Sequence, residues 1–318
     1  MTSGDLAIDA RGLVKKYGAA IAVDGIDLLI KKGEIFGLLG PNGAGKTTVI
    51  LMLLGLTDRT GGTVDIAGHD PARQPLEVKR HVGYMPDSVG FYDNLTARAN
   101  LAYIAELAGI PRAEAKSRIA DALERMRLGD VAEKKVSTFS RGMRQRLGLA
   151  EIWMKRSQVA ILDEPTSGLD PQSTAELLAM IRELKAEGMS ILLSSHLLDR
   201  VQVICDRVAL FNKGKVVLQG TVPELAKAVL GGGIVIEIEA VGDGVAAALS
   251  RVSGVTKVEP QAGNLATNKY KVFASRDVSA DLAAAVMNAQ GRLIRLAVEE
   301  PSLDAIYTRY FEEQSRAA

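Results

Sequence analysis

The run from Gly40 to Thr47 has the residue types and the spacing of a loop that binds phosphate. Every position of the pattern G-x-x-x-x-G-K-[ST] is filled, by Gly40, Pro41, Asn42, Gly43, Ala44, Gly45, Lys46 and Thr47. Glycines let the backbone curl so that its N–H groups face phosphate oxygens. Lys46 can then reach the β- and γ-phosphates, and the Thr47 hydroxyl can bind Mg²⁺. The run predicts a site for a nucleoside triphosphate such as ATP with Mg²⁺, and we expect Thr48 to be a further contact.

Two adjacent carboxylates, Asp163 and Glu164, end the apolar run that begins at Val159. We expect this run to form a strand, in which neighbouring side chains point to opposite sides. The two carboxylates could then take different roles. Asp163 would orient Mg²⁺ or its water shell, and Glu164 would polarise the water that attacks the γ-phosphate.

His196 follows another apolar run, residues 191–193. Lys46, Asp163 and His196 therefore each stand at or beyond the carboxyl end of a predicted strand. Ligands of open α/β sheets bind at this edge, so we expect the three residues to converge, with His196 as a γ-phosphate contact. The sequence has no nucleophile pattern G-x-S-x-G, which argues against acyl transfer by Ser195.

Apolar runs and glycine breaks predict the elements that position these residues. Residues 35–39 predict a buried strand and 47–54 a helix, which is the context that a phosphate-binding loop requires. Residues 6–68 predict a small antiparallel β-subdomain, and 95–157 show helical spacing. Strands and helices then alternate over 159–211, which is typical of a parallel sheet. The expected fold is an α/β phosphate-loop NTPase core with a β-subdomain and a helical subdomain.

Gly231–Gly233 marks the expected boundary between two domains, because three consecutive glycines cost backbone entropy that helix and strand interiors rarely tolerate. We expect a nucleotide-binding domain over residues 1–230 and a smaller domain over 234–318. The pattern of the second domain predicts the order βαββαβ followed by a terminal helix. This order is the ferredoxin-like α+β arrangement.

The composition limits the partners and the location. The 318 residues carry 39 Lys plus Arg and 38 Asp plus Glu, and a net charge of +1 argues against nucleic acid held by overall basicity. The single cysteine, Cys205, excludes an internal disulfide and fits a reducing compartment. The first ten residues do not resemble a signal peptide, and no apolar stretch approaches about 18 uncharged residues. We expect a cytoplasmic chain that does not span a membrane.

Residues 139–145 precede an amphipathic helix and could hold phosphate as well. Ser140 suits the N-cap position, and Gly142 allows another molecule to approach closely. Two anion-binding helix starts far apart in one chain make sense if the second serves the nucleotide of a partner chain in a dimer.

The order of these motifs resembles the ATP-binding cassette family over about residues 6–225. The motifs are the phosphate-binding loop, Phe139–Gln145, Val159–Glu164, Ser167–Asp170 and His196. The resemblance implies a homodimer in which Ser140 and Gly142 of one chain contact ATP held by the other. It further implies that Asp170 belongs to a loop that communicates between the two sites, that His196 is the switch histidine, and that Tyr17 stacks on adenine.

Two departures from the family pattern bear on these roles. Asp87 replaces the usual glutamine, whose amide senses Mg²⁺ and the membrane partner, by a shorter carboxylate. Asp87 stays a candidate contact for the nucleotide and the metal. Arg141 and Met143 replace the usual glycine and glutamine of the signature, while Ser140 and Gly142 remain.

The run Arg141–Ala150 is similar to the corresponding segment of ABC-2-type exporters. The similarity implies an ATPase subunit that drives a separate transmembrane permease from the cytoplasmic face of the cell membrane. The alternative is a soluble cassette ATPase that acts on nucleic acid or ribosomes, which would carry a long coiled-coil insert or tandem cassettes. A dinucleotide-dependent oxidoreductase is disfavoured, because Thr48 stands where the third glycine of G-x-G-x-x-G is required.

Overall fold

The structure is a computed structural model that describes residues 5–230, 234–261, 267–299 and 302–317. Its backbone contacts divide the chain into two compact units, Met1–Thr221 and Val222–Ala318. The predicted boundary at Gly231–Gly233 lies outside the described residues. The helix that precedes it belongs to the second unit in this division.

The first unit contains a three-stranded antiparallel sheet. Its central strand, β1 (Leu6–Tyr17), pairs with β2 (Ala20–Lys31) on one side and with β4 (Gly61–Ile66) on the other. Buried side chains such as Ile8 and Leu28 join this sheet to the core of the unit. The predicted antiparallel β-subdomain is confirmed.

The central sheet has six strands in the order β5-β6-β7-β3-β8-β9. They are β3 (Ile35–Leu39), β5 (Val82–Met85), β6 (Val159–Asp163), β7 (Ser190–Ser195), β8 (Arg207–Asn212) and β9 (Lys215–Gly220). The first five in this order run parallel, and β9 pairs antiparallel with β8 at one edge. Every residue of β3, β6 and β7 is buried, as expected when helices cover both faces of a parallel sheet.

Helices connect these strands, and those between residues 95 and 157 form the predicted helical region. They are α1 (Lys46–Leu53), α2 (Pro75–His81), α3 (Ala97–Leu107), α4 (Arg112–Arg125), α5 (Arg141–Met154), α6 (Pro171–Ala186) and α7 (Leu198–Gln202). Helices α3, α4 and α5 pack on one another. Within the described ranges, no helix is both long enough and apolar enough to cross a membrane.

The second unit is built around a four-stranded antiparallel sheet in the order β11-β12-β10-β13. Its elements are α8 (Val222–Leu230), β10 (Ile234–Val241), α9 (Val245–Ser250), β11 (Val255–Gln261), β12 (Asn268–Ala274), α10 (Ser279–Asn288), β13 (Arg292–Glu299) and α11 (Leu303–Ala317). The core of the unit includes Ile236, Leu249, Val272 and Leu282. Helix α11 lies beside α8, which explains why α8 is grouped with this unit. From β10 onward, the elements follow the predicted order.

Candidate functional site

The carboxyl ends of three neighbouring strands bring the predicted site residues together. Lys46 follows β3, Asp163 ends β6, and His196 follows β7. The Lys46 ammonium lies 3.3 Å from Glu164 Oε1, and Nδ1 of His196 lies 2.7 Å from Glu164 Oε2. The predicted convergence at this sheet edge is confirmed, and Glu164 is its centre.

The phosphate-binding loop lies so close to its neighbours that two of its glycines leave no room for a side chain. A Cβ on Gly40 would come within 2.0 Å of the Phe211 carbonyl oxygen, and a Cβ on Gly45 within 2.5 Å of the Ala22 carbonyl oxygen. Gly45 also has a φ of 112°, which strains any residue that carries a side chain. The sequence pattern therefore has a steric cause at both positions.

The ammonium group of Lys46 is buried within this loop. It donates to the carbonyl oxygens of Gly40 at 2.6 Å and Pro41 at 3.2 Å, and the residue is 5% exposed. A buried charge needs such partners. Phosphate oxygens carry a full charge and would be stronger acceptors than carbonyls, so the position suits the predicted contact with the β- and γ-phosphates.

A cavity of about 570 Å³ opens over the loop, a size that suits a small-molecule ligand. Its lining includes most of the predicted contacts, namely Asn42, Gly43, Ala44, Gly45, Lys46, Thr47, Thr48, Asp87, Asp163 and Glu164. The hydroxyl of Thr47 and the carboxylates of Asp87 and Asp163 supply oxygen donors, which Mg²⁺ prefers. The lining therefore fits a nucleoside triphosphate with Mg²⁺. The cavity is also lined by residues that were not predicted from the sequence, namely Ile21, Ala22, Lys213 and Gly214.

Ser194 joins the two carboxylates and was missed by the sequence analysis. Its buried hydroxyl donates to Asp163 Oδ1 and accepts from the backbone N–H of Glu164 at 3.0 Å. Strand β7 places Ser194 opposite Asp163 in the parallel register. The signal that could have found it is a polar residue at the end of a buried strand next to His196. The charge of Asp163 and burial together raise the pKa of Tyr84 on β5 to about 12, with burial the larger cause.

The prediction that strand alternation sends the side chains of Asp163 and Glu164 to opposite sides was wrong. Strand β6 ends at Asp163, so strand alternation does not extend to Glu164. Glu164 instead has a φ of 51°, a left-handed conformation that is rare for residues with side chains and often occurs at functional sites. This backbone conformation turns the carboxylate toward Lys46 and His196.

The two oxygens of Glu164 have different surroundings. Oε2 contacts the imidazole of His196, whereas Oε1 is buried and accepts no hydrogen bond from any described residue. The ammonium of Lys46 is near enough to attract Oε1 but is not aligned to donate to it. Oε1 is thus available as an acceptor for a ligand group. His196 contacts Glu164, so its contact with γ-phosphate stays a prediction.

Gly40, Pro41 and His196 are predicted contacts that do not line this cavity. Four others, Tyr17, Ser140, Gly142 and Asp170, do not line it either. Tyr17 is 52% exposed at the end of β1, and the Lys15 ammonium lies 4.7 Å from its ring centroid. Ser140 caps α5 by accepting from the Met143 N–H at 3.3 Å, which confirms the predicted N-cap. Gly142 follows in the first turn of that helix.

The fourth residue, Asp170, caps α6. Its carboxylate accepts from the hydroxyl and the backbone N–H of Ser173, at 2.6 Å and 2.9 Å. The hydrogen bond from the Ser173 hydroxyl lowers the pKa of Asp170 most, and the hydrogen bond from the Ser173 backbone N–H lowers it further. The functional roles of Tyr17, Ser140, Gly142 and Asp170 stay predictions.

Arg141 contacts Asp87, and both residues depart from the family pattern. Its guanidinium lies 2.8 Å from Asp87 Oδ1 and packs over Gly168, where a Cβ would come within 3.1 Å of the guanidinium nitrogen. Gln145 on the same helix donates to the Asp87 carbonyl at 3.4 Å. One side chain therefore joins the start of α5 to the loops after β5 and β6.

Removal of this ion pair tests whether it positions the site. Asp87→Asn, which keeps a side-chain oxygen, and Arg141→Gln should each lower the ATPase rate by about tenfold, and the double variant should be little slower, because each single variant already breaks the pair. Because both side chains are about half exposed, thermal stability should change by less than about 1 kcal/mol. The same neutralisation of Arg98 and Glu133, an exposed pair away from the cavity, is the control. A double variant about a hundredfold slower would show that the two side chains act independently and would refute a positioning role of the pair.

Known proteins resemble this chain in sequence and in fold. A family profile described as ABC transporter matches residues 23–167. The linearmycin resistance ATP-binding protein LnrL of Bacillus subtilis (strain 168) is 34% identical over 307 residues, which cover 94% of this chain and 96% of that protein. The bacitracin transport ATP-binding protein BcrA of Bacillus licheniformis is 41% identical over 209 residues, which cover 65% of this chain and 67% of that protein.

Among solved structures, cbiO1 from Clostridium perfringens, described as part of the ABC transporter complex cbiONQ, superimposes with a TM-score of 0.65. It is 26% identical, and the match covers 71% of this chain and 91% of that chain. The profile match contains the phosphate-binding loop and Glu164, while the match to LnrL covers nearly the whole chain.

Proposed function

Because this chain belongs to the ABC transporter family, whose ATP-binding subunits hydrolyse ATP, we propose that it is the ATPase subunit of an ABC-2-type exporter. Family membership makes the chain an ATP-binding protein and an ATPase. The finer proposal is that two copies bind two ATP with Mg²⁺ and drive a separate transmembrane permease. The names of LnrL and BcrA, which refer to linearmycin resistance and bacitracin transport, support a transporter of this kind.

The observation that carries the proposal is the contact of Glu164 with both Lys46 and His196. We propose that Lys46 binds the β- and γ-phosphates and that Glu164 accepts the proton of the attacking water. His196 holds Oε2 in place, so that Oε1 faces the reaction. Mg²⁺, held by Thr47 and Asp163 with Asp87 near, would neutralise charge on the phosphate oxygens.

The homodimer is supported by the position of the start of α5. Ser140 and Gly142 lie outside the cavity of their own chain, and a helix N-terminus attracts phosphate. A Cβ on Gly142 would lie 3.4 Å from the side chain of Ser173, which is near the Asp170 cap of α6. In the proposed dimer, Ser140 and Gly142 complete the cavity of the partner, and Asp170 lies next to the shared interface. Tyr17 would approach adenine from the end of β1.

The proposal for the second domain rests on topology. The order βαββαβ and the sheet order β11-β12-β10-β13 support a ferredoxin-like domain. We place its start at residue 234, after the nucleotide-binding domain at 1–230.

Truncation tests this division of the chain. A chain that ends at Leu230 should be soluble and should bind ATP within about threefold of the full-length affinity, because the cavity residues all lie in the first unit. Circular dichroism shows whether the soluble chain is folded, and an ATP titration measures its affinity. A second chain that ends at Thr221 tests the position of α8. Insoluble protein in both cases would contradict an independent nucleotide-binding domain.

Purification from native membranes tests the exporter assignment. The chain should sit at the cytoplasmic face of the membrane, and the detergent-solubilised chain should bring down a protein with several membrane spans in stoichiometric amount. The complex cbiONQ, of which cbiO1 is described as a part, supports this expectation. Recovery of ribosomes or nucleic acid in place of such a protein would favour the soluble ATPase, which is the competing proposal.

A further inference from the structure

A second cavity, of about 750 Å³, lies at the amino ends of β6 and β7. Val159 and Ser190, the first residues of these strands, line it, whereas the phosphate-binding loop lies at the carboxyl ends. With a rise of about 3.3 Å per residue, the strands place the two cavities at opposite edges of the sheet. They share no lining residue, and both belong to the first unit.

The buried part of this lining is mostly apolar and one wall is aromatic. Met154, Leu184 and Met189 are each less than 10% exposed. The Trp153 indole N–H donates to Asp121 Oδ2 at 2.6 Å, and the guanidinium of Arg125 covers the ring at 4.1 Å from its centroid. A ring fixed in this way offers a rigid apolar surface to a ligand.

The charged side chains of the lining favour an anion. Both carboxylates have partners, since Asp121 accepts from Trp153 and Glu187 pairs with Arg125. At the exposed rim, Lys32 and Arg156 make no ion pair with any residue that the structure describes.

From these contacts we propose that the cavity binds a small molecule with an apolar body and one acidic group. The body lies against Trp153 and the apolar residues. The carboxylate or sulfonate lies at the rim, where Lys32 and Arg156 attract it. The volume lies within the range of about 300–1,000 Å³ that is usual for such ligands. The site is independent of the nucleotide and of the proposed transport function.

Fluorescence of the full chain tests the site, because Trp153 is its only tryptophan. Titration with 8-anilinonaphthalene-1-sulfonate should quench Trp153 emission saturably at one dye per chain. Saturating ATP should not displace the dye, whereas laurate should. N-phenyl-1-naphthylamine has the same aromatic body without the sulfonate and should bind about tenfold more weakly.

Two variants link this binding to the proposed contacts. Lys32→Gln and Arg156→Gln each remove one rim cation, so thermal stability should be retained while dye affinity falls about threefold in each variant and about tenfold in the double variant. Arg80→Gln is the matched control, because Arg80 is also an exposed cation but does not line the cavity. Equal affinity for the two dyes, unchanged affinity in both variants, or displacement by ATP would each overturn the proposal.

Discussion

Lys46→Ala should lower the affinity for ATP by about a hundredfold, the largest effect that we expect on nucleotide binding. The ammonium is buried within the phosphate-binding loop, and a charged hydrogen bond to phosphate is worth about 1.5–3 kcal/mol. The substitution removes the charge at the place where the β- and γ-phosphates are expected. Isothermal titration of the purified full chain with ATP measures the change.

The control for this variant is Lys213→Ala. Lys213 lines the same cavity but is exposed, so its removal should change the affinity by less than about threefold. Lys46 also donates to two loop carbonyls, and a melting curve should therefore accompany the titration. An intact fold with unchanged ATP affinity in Lys46→Ala would refute the assignment of the loop.

Glu164→Gln should lower the ATPase rate by about a thousandfold while ATP stays bound, because the variant lacks the carboxylate that accepts the proton of water. The amide keeps the size of the side chain and can still contact His196. It also removes a negative charge beside the phosphates. ATP should therefore hold two chains together, and the variant should elute as a dimer in size-exclusion chromatography with ATP and as a monomer without it.

Glu176→Gln is a suitable comparison, since this half-buried carboxylate on α6 accepts from Gln172 and does not line the cavity. It should leave both the rate and the elution volume unchanged. If Glu164→Gln hydrolyses ATP at a rate close to that of the unchanged chain, Glu164 is not the general base. If it loses ATP affinity to the same degree as Lys46→Ala, its role lies in binding.

Local patterns predicted the parts of the fold that depend on neighbouring residues. The phosphate-binding loop has its pattern because Gly40 and Gly45 lie against backbone atoms, and this requirement is visible in the sequence. Helix α6 begins at Pro171, directly after its Asp170 cap, so its start also depends on neighbouring residues. The convergence of Lys46, Asp163 and His196 followed from the rule for parallel strands.

The remaining features depend on contacts between distant segments. Ser194 acquires its role only through the register of β7 beside β6. The ion pair between Asp87 and Arg141 joins residues 54 positions apart, although opposite charges at two unusual positions were a signal. The positive φ of Glu164 was not predicted, because the usual sequence signal for this conformation is a glycine. Strand β9 was not predicted, because its antiparallel pairing with β8 breaks the expected alternation.

The approach of Gly40 to the carbonyl of Phe211 means that the phosphate-binding loop has almost no freedom to adapt to what it binds. The loop already has its binding shape without a ligand, so little binding free energy is lost in ordering it. A compound that needed a wider loop would have to push β8 out of the sheet. Selective inhibitors of this chain should therefore exploit the walls of the cavity, such as Ile21 and Lys213, and leave the loop as it is.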